Sequence, residues 1–287
     1  MARWFRGLGK YPNRWTRLGF LAVFAVVVAW WLLMPPSNNR SWQPDVALLP
    51  WAEVDGSRIT IHNIRNCDYR SETDYTVRYY DKTFDLAALN SLDLSLVYWG
   101  SPYIAHTMLS FGFEGNEFVC FSVETRKEIG EEYSAIKGFF RQYELTYVVA
   151  DERDLIGLRT NYRDEQVYLY RLNESVDLVR KIFLDYLRTV NSLKDHPEWY
   201  NALTDNCTTS TNVLAAPYNP DGRIEWRIIA NGFMDEMLYE SKAIDTALPF
   251  PELKKMSLIN GRAKKHDKLP DFSQRIRAGL PEVDDRR

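Results

Sequence analysis

An uncharged apolar run near the start of the chain limits what the remainder can fold into. Residues Leu18 to Met34 read LGFLAVFAVVVAWWLLM and contain no charged side chain. A helix that spans a bilayer needs about 20 such residues, so this run lies at the short end of the range. Trp15, Trp30 and Trp31 lie near its two ends, where aromatic side chains favour the membrane interface. We therefore predict a transmembrane helix over residues 18–34.

The charges that precede this run predict its orientation. Residues 1–17 hold no acidic side chain, and their basic side chains are Arg3, Arg6, Lys10, Arg14 and Arg17. Positive charge is retained on the cytoplasmic side, so we expect residues 1–17 in the cytoplasm and the folded body outside it. A cleaved signal peptide is the alternative, but the run ends in Met-Pro-Pro-Ser-Asn-Asn without a small-x-small cleavage motif. No second run of this kind follows, which predicts a single-pass protein with a retained anchor.

Composition describes the body that follows the anchor. Of the 287 residues, 45% are hydrophobic and 14% are aromatic, which suits a globular core. The net charge is −3 and basic residues are interspersed with acidic ones, so we expect no nucleic-acid partner. Cys67, Cys120 and Cys207 form no CxxC pair and no zinc-like spacing with histidine, so we expect no metal and no cofactor. An odd number of cysteines leaves a free thiol or an intermolecular bond, and a Cys67–Cys120 disulfide stays open.

Hydrophobic periodicity divides the body into strands and helices. Alternation predicts strands at Arg58–Ile64, Leu92–Trp99, Ala105–Phe113, Glu117–Glu124, Leu145–Ala150 and Gln166–Leu172. The helical period predicts a helix over Ser175–Leu193, with shorter helices at Asp85–Asn90, from Asn206 onward and at Asn231–Ser241. Hairpins such as the turn Glu114-Gly115-Asn116, rather than regular helical crossovers, join the strands. This pattern favours the α+β class.

The segments around these elements set the expected domain limits. Residues 35–50 are polar and contain prolines, which predicts a linker, and the folded domain is expected over residues 51–260. After Gly261 the chain is charged and poor in apolar residues, so residues 261–287 are predicted to form a flexible tail. Residues 66–83 are dense in charge and tyrosine and show no clean period, which predicts a long functional loop or an irregular edge.

Cys207 is the candidate nucleophile. It lies in the sequence TDNCTTS, where Asp205 or Asn206 is a good N-cap that would put Cys207 in the first turn of a helix. The helix dipole and the unpaired N–H groups at that position favour a thiolate, and the same groups can donate to an oxyanion. A buried cysteine that only packs is the alternative. The polar and hydroxyl-bearing neighbours favour the nucleophile.

His106 is the candidate base because it begins a strand that is otherwise apolar, and a thiol nucleophile needs an imidazole to take its proton. His62, in another predicted strand, is the second candidate. The hairpin turn centred on Gly115 places Glu124 opposite His106, where a carboxylate can orient the ring. A salt-bridged strand end is the alternative for Glu124.

The sequence resembles the Lnb-type N-terminal periplasmic domain family in several blocks that match in order between about Trp51 and Pro217. The blocks read HNIRN and DYR from His62, RYYD from Arg78, IAHTMLSFGF from Ile104, ETRKE from Glu124, FFRQYEL from Phe139, and WYN to NCTT from Trp199. The resemblance implies a circularly permuted papain-like (NlpC-type) fold, an antiparallel sheet with packed helices in which the histidine precedes the cysteine. It also implies a periplasmic body on the bacterial inner membrane.

The resemblance further implies an activity and a set of partners. Characterised members of the family are lipoprotein N-acyltransferases, which move an acyl chain from a phospholipid to the amino terminus of a diacylated lipoprotein. Cys207 would form a thioester and His106 would act as base and acid, with Glu124 as the third member. The expected partners are membrane lipid or lipoprotein. Candidate substrate-binding residues within the matching blocks are Asn206, Arg65, Tyr69 and Tyr80.

Three functions stay open at this point. Acyltransferase members of the family follow this domain with several membrane-spanning helices, and none is predicted here, so a related transferase or hydrolase is also possible. A cysteine peptidase or amidase acting on cell-wall peptide would use the same pair of residues in a polar, open cleft. A non-catalytic envelope scaffold would use these motifs for the fold alone.

Overall fold

The apolar run near the start of the chain forms a helix. The computed structural model describes residues 14–134, 138, 140–201, 227 and 231–281, and the chain divides into two units, residues 1–37 and 38–287. In the first unit, helix α1 covers Arg14–Leu33, with a mean hydropathy of 2.0 over its most apolar window and no buried residue. By length and composition it can cross a membrane, which agrees with the predicted anchor.

Within the described residues of the second unit, eight strands form one mixed sheet. The strands are β1 Trp51–Asp55, β2 Arg58–Arg65, β5 Tyr79–Asp85, β6 Leu89–Tyr98, β7 Ala105–Phe113, β8 Glu117–Arg126, β9 Glu144–Ala150 and β10 Gln166–Arg171. Their order in the sheet is β1-β2-β9-β8-β7-β6-β10, with β5 also paired to β2, and the pairing is antiparallel except between β2 and β9. Strands β3 Asp68–Tyr69 and β4 Tyr75–Thr76 form a separate hairpin.

The central hairpin of β7 and β8 has the predicted turn and register. Gly115 and Asn116 adopt φ angles of +78° and +61°, a left-handed conformation that glycine and asparagine tolerate best. Met108 pairs with Ser122 and Phe113 with Glu117, so the register places His106 level with Glu124 at the far end of the hairpin.

Helices cover both faces of the sheet because successive side chains of each buried strand point to opposite faces. One face packs against α3 Val176–Asp195, α4 Met234–Glu240 and α5 Phe250–Ser257. The other face packs against α2 Glu152–Gly157, α6 Asn260–Lys265 and α7 Phe272–Arg277. Ser175 caps α3 by accepting a hydrogen bond from the amide of Leu178. The α+β class is confirmed.

The segment predicted as a linker belongs largely to the folded body. The Asn38 side chain donates to the carbonyls of Leu193 and Lys194 in the last turn of α3. The Arg126 guanidinium lies over the ring of Trp42, 4.2 Å from its centre, and donates to the Val46 carbonyl. The polar composition of this segment indicated a tether, whereas its side chains satisfy backbone groups of the domain.

Part of the segment predicted as a flexible tail also belongs to the folded body. Residues 260–265 and 272–277 form α6 and α7, and Phe272 and Ile276, four residues apart, are buried in the core. Arg277 is also buried and pairs with Asp93 and Glu152. A sequence so rich in charge indicated disorder, but its buried charge is neutralised by residues more than a hundred positions away.

Two shorter predictions also changed. Residues 66–83, predicted as a loop or irregular edge, contain β3, β4 and the start of β5. The predicted helix over Asp85–Asn90 is a single 3₁₀ turn, Leu86–Ala88, with Asp85 accepting a hydrogen bond from the amide of Ala87. The helix predicted from Asn206 onward lies outside the described residues.

Candidate active site

His106 lies at the end of the sheet where β6 and β8 end and β7 and β9 begin, which we call the site end. It is the second residue of β7 and is 8% exposed. Val97 of β6 pairs with it on one side, and the register of β8 places Glu124 on the other. Because β7 is central in the sheet, both neighbouring strands fix the position of the ring.

Hydrogen bonds define which ring nitrogen of His106 carries the proton. Its Nε2 atom lies 2.7 Å from Ser122 Oγ and 3.2 Å from Glu124 Oε1. Because Ser122 Oγ donates its hydrogen to the same Glu124 oxygen at 2.7 Å, the serine oxygen presents a lone pair to Nε2. Nε2 must therefore carry the proton and donate it. A base function then falls to Nδ1.

Glu124 is held in its charged form by its surroundings. Arg159 Nη2 donates to Glu124 Oε1 at 2.9 Å, and Arg159 Nη1 donates to Glu165 Oε2 at 3.2 Å. Burial would raise the pKa of Glu124, but the charges of His106 and Arg159 and the hydrogen bonds from His106 and Ser122 hold it well below its usual value. We call His106, Ser122, Glu124, Arg159 and Glu165 the His106 cluster.

A cavity of about 640 Å³ adjoins the His106 cluster. Trp99 lines it and also makes an edge contact with the His106 ring, with ring centres 6.5 Å apart. Glu165 lines it as well and joins it to Arg159. Other lining side chains include Tyr98, Tyr168, Phe233, Arg163 and Lys254. The mixture of rings and charges suits a ligand with both polar and apolar parts.

Asn231 fixes the backbone beside His106. Its side chain accepts a hydrogen bond from the Ala105 amide at 2.8 Å and donates to the Ala105 carbonyl at 2.6 Å. The next residue, Gly232, packs so closely on the loop before β7 that a Cβ atom there would lie 2.2 Å from the Pro102 carbonyl oxygen. These two contacts hold the start of β7 and thereby the histidine.

The three cysteines differ in what the structure describes of them. Cys207 and its neighbour Asn206 lie outside the described residues. The other two cysteines are buried and form no disulfide with each other. Burial raises the pKa of Cys67 to about 12 and raises that of Cys120 as well, so both are protonated thiols at neutral pH. Neither is suited to nucleophilic attack.

The described residues on both sides of Cys207 lie at the site end. Before it, Trp199 pairs with Glu144 at the start of β9, and the Tyr200 amide donates to the Tyr143 carbonyl. After it, Asn231 holds the start of β7. The chain therefore leaves and re-enters the described part of the domain at the end of the sheet that carries His106.

Three of the candidate substrate-binding residues, Arg65, Tyr69 and Tyr80, lie away from the His106 cluster. Arg65, at the end of β2 that is away from the site end, donates to Asp154 with Nη2–Oδ1 at 2.7 Å. Asp154 also accepts from the Cys67 amide at 2.7 Å and from the Tyr69 hydroxyl at 3.3 Å. We call Arg65, Cys67, Tyr69 and Asp154 the Asp154 cluster.

The structure does not bring the other candidates beside His106 either. The Tyr80 hydroxyl donates to Asp151 at 2.5 Å, just before α2. His62, the second candidate base, stacks on Trp51 with ring centres 3.9 Å apart and binds Asp81 at 2.7 Å. The substrate-binding roles of Arg65, Tyr69, Tyr80 and Asn206 stay predictions.

Sequence reasoning missed three members of the His106 cluster, namely Ser122, Arg159 and Glu165. Ser122 shares the β8 face of Glu124, two positions away, so the alternation of the predicted hairpin contained the signal for it. Arg159 lies in a π-helical turn, Leu158–Tyr162, whose sequence shows no periodicity. No local pattern points to Arg159.

Together these features define a class: an α+β domain with a carboxylate-bound histidine at one end of its sheet, preceded in the chain by a helix long enough to span a membrane. The family model of the Lnb N-terminal periplasmic domain matches residues 75–232, and the chain belongs to this family. The match contains His106, Glu124 and Cys207. Comparisons with curated proteins and with solved structures gave no significant match. The predicted family is confirmed, and with it a periplasmic domain.

Proposed function

We propose that the protein is a membrane-anchored, thiol-dependent acyltransferase or hydrolase of the periplasm in which Cys207 is the nucleophile and His106 its base. The observation that supports the proposal is the His106 cluster, in which Nε2 of the histidine contacts Ser122 and the Glu124 carboxylate, so that the proposed base is Nδ1. Such an arrangement orients an imidazole for proton transfer in cysteine and serine hydrolases. We also propose that the fold is a circularly permuted papain-like one, with the histidine strand ahead of the cysteine in sequence.

The chain length between the described residues and Cys207 allows this pairing. From Trp199 to β7 the sheet is crossed in three strand spacings, which amount to about 14 Å. Cys207 follows Asn201 by six residues, which can span at most about 20 Å. The cysteine is therefore within reach of the site end, and the two buried thiols do not compete for its function.

The chemistry proceeds in two steps. His106 Nδ1 accepts the thiol proton as Cys207 Sγ attacks an acyl carbonyl carbon, and the carbonyl electrons move to oxygen. The oxyanion collapses, the bond to the leaving alkoxide breaks, and the protonated His106 returns the proton to that oxygen. A thioester remains on Cys207. An incoming amine or water, deprotonated by His106, then attacks the thioester and releases the thiol.

Glu124 stabilises the charge that His106 acquires between these steps. Its carboxylate lies 3.2 Å from Nε2 and is kept ionised by Arg159. A fixed negative charge beside a forming imidazolium lowers the energy of that state without reorganisation. The donor is proposed to be a phospholipid and the acceptor the amino terminus of a lipoprotein.

The experiment is detection of the thioester. The full chain is reconstituted into vesicles of a phospholipid with one defined acyl chain, and its intact mass is measured over time. We expect a mass increase of one acyl group on Cys207 that neutral hydroxylamine removes. Replacement by Cys207→Ala should abolish the adduct, and replacement of the buried Cys120→Ala should leave it. An adduct that survives in Cys207→Ala, or none with any phospholipid, would contradict the proposal.

A cysteine peptidase or amidase acting on cell-wall peptide is the second candidate. It is favoured by the charged side chains of the cavity beside the His106 cluster, which include Arg163, Glu165 and Lys254. Such charges suit the carboxylates and amines of a peptide. Release of peptide fragments from purified wall material, lost in Cys207→Ala, would select this function. Absence of release together with a lipid-derived thioester would exclude it.

A further inference from the structure

Two loops at the site end carry large apolar side chains that face solvent. The loop between β6 and β7 exposes Trp99, Tyr103 and Ile104, and the loop between β8 and β9 exposes Ile129, Tyr133 and Phe140. Their exposed fractions range from 42% to 69%. Because β7 and β8 are neighbours in the sheet, the two loops leave it side by side. We call these six side chains the apolar rim.

The opposite end of the sheet has a different surface. The β7–β8 turn there consists of Glu114, Gly115 and Asn116, and the connection between β3 and β4 consists of exposed polar and charged residues, 70–74. Large exposed apolar patches on a soluble surface are costly, and they mark contact with a partner or a membrane. The asymmetry between the two ends indicates that the site end is the one that makes contact.

The path of the chain indicates what the site end contacts. The segment that follows α1 docks on the loop that contains Ile129, because the Ile129 amide donates to the Ser41 carbonyl at 2.7 Å and the Gln43 amide donates to the Lys127 carbonyl at 2.9 Å. Asn38, the first residue of the body, accepts a hydrogen bond from Arg126 at the end of β8.

Few residues separate this docking point from the apolar helix. Helix α1 ends at Leu33, and the five residue steps to Asn38 span at most about 18 Å. When α1 crosses a bilayer, this covalent tether limits the distance between Asn38 and the adjoining lipid surface to about that length. Tyrosine and tryptophan are enriched at such surfaces because their rings have an apolar body and a polar tip.

We propose that the apolar rim is a membrane-contact surface that inserts into the interfacial layer of the bilayer anchored by α1. The contact is apolar rather than ionic, since the charges in the same loops are mixed, with Lys127 and Arg141 beside Glu131 and Glu132. The rim thereby fixes the height of His106 above the lipid and turns the site end toward it. The inference goes beyond the catalytic proposal and does not depend on Cys207.

The test is site-specific cross-linking in the full chain. Photoreactive benzoylphenylalanine replaces Tyr103, Ile104 or Ile129 in turn, in protein reconstituted with zwitterionic phosphatidylcholine. The matched control replaces Leu269, which is 37% exposed and lies beside Asp151 and Phe118 at the opposite end of the sheet. After irradiation, mass spectrometry of the digested protein counts lipid adducts at each position.

We expect lipid adducts at the three rim positions in about tenfold higher yield than at position 269, with little change between low and high salt. Equal yields at the two ends of the sheet, or adducts to a second copy of the chain instead of lipid, would overturn the proposal. A yield that falls steeply with salt would also overturn it, because the contact would then be ionic. The same measurement on Cys207→Ala should give the same yields, which separates this inference from the proposed catalysis.

Discussion

The His106 cluster and the Asp154 cluster use similar residues in different settings. Each contains an arginine and a carboxylate in direct contact, and each includes a hydroxyl group that bonds to that carboxylate. In the Asp154 cluster the side chains of Arg65 and Asp154 are 5% and 0% exposed, so the charges are closed off from solvent. In the His106 cluster the Glu124 side chain is 25% exposed, and Glu165 of the same cluster lines a cavity.

This difference separates a structural cluster from a candidate active site. The Arg65 guanidinium is closed off from solvent and directs Nε and Nη2 at Asp154, so a substrate does not reach it, whereas a cavity adjoins the His106 cluster. Residue types alone do not distinguish the two clusters, and Arg65 and Tyr69 are predicted to bind substrate because they lie within the blocks that resemble the family. Access to solvent is the property that distinguishes them.

The largest expected effect is loss of the base. His106→Ala should slow formation of the Cys207 thioester by about 10²- to 10⁴-fold, because the thiol loses its proton acceptor. The measurement is the rate of adduct formation by intact mass. His62→Ala is the matched control and should leave the rate within a few-fold of wild type, since His62 is bound to Asp81 in a different part of the sheet. A larger effect from His62→Ala would reverse the assignment.

Breaking the Asp154 cluster should affect stability instead. Asp154→Ala removes the acceptor for donors from three residues and leaves the Arg65 guanidinium buried without its carboxylate, which should cost about 3–5 kcal/mol of unfolding free energy. Denaturant unfolding measures the loss. The rate of thioester formation per folded molecule should not change. Asp74→Ala, which removes an exposed partner of Arg70, should leave the unfolding midpoint unchanged.

Removing the charge of Glu124 tests whether this residue acts on the reaction or only on stability. Glu124→Gln keeps the shape of the side chain but loses the negative charge beside His106, which should slow thioester formation by about 10- to 100-fold. The loss should appear in the rate at saturating substrate more than in substrate binding. If Glu124→Gln lowers stability and leaves the rate per folded molecule intact, Glu124 belongs with the structural cluster after all.

The same carboxylate predicts a pH dependence. Because the pKa of Glu124 is lower in the folded chain than its ordinary value of 4.5, its contribution to stability is fully present above about pH 4.5. It is lost as the pH falls through the lower folded-state pKa. The difference in unfolding free energy between wild type and Glu124→Gln should therefore be constant at neutral pH and shrink in acid. A difference that grows in acid would contradict the ionised state of Glu124.

The smallest effect is expected from Ser122→Ala. The substitution removes a hydroxyl that bonds both His106 and Glu124, but Nε2 of the ring stays within 3.2 Å of the carboxylate. The expected loss is about 0.5–1.5 kcal/mol in the activation free energy, which is at most about tenfold in rate. A loss as large as that of His106→Ala would mean that the hydroxyl has a direct part in proton transfer.

The sequence was sufficient to predict the central pair of this site, His106 and Glu124. Strand alternation and one turn, Glu114-Gly115-Asn116, set the β7–β8 register, and that register alone brings Glu124 level with His106. Both signals are local, since they depend on residues within one hairpin. The long helix α3 was predictable for the same reason, because its apolar side chains recur every three or four positions.

The rest of the cluster could not be read from the sequence because it depends on distant contacts. Arg159 reaches Glu124 from a π-helical turn that has no periodic pattern. Asn231 reaches Ala105 from 126 positions away. The helices after Gly261 were missed because charge density indicates disorder unless the partners of those charges are known, and the partners of Arg277 lie in β6 and α2.

The buried ion pair between Arg277 and Asp93 affects how the domain folds. Asp93 lies in the middle of strand β6, and Arg277 contacts it across a separation of 184 residues. While the chain is being translocated across a membrane, Asp93 therefore lacks its Arg277 partner until residue 277 has also been translocated. Contacts between residues so far apart in sequence slow folding, so the nascent chain is incompletely packed until this contact forms. We expect a chain that lacks α7 to stay incompletely packed, because Asp93 and Glu152 lose Arg277, and limited proteolysis should then cleave it faster than the full chain.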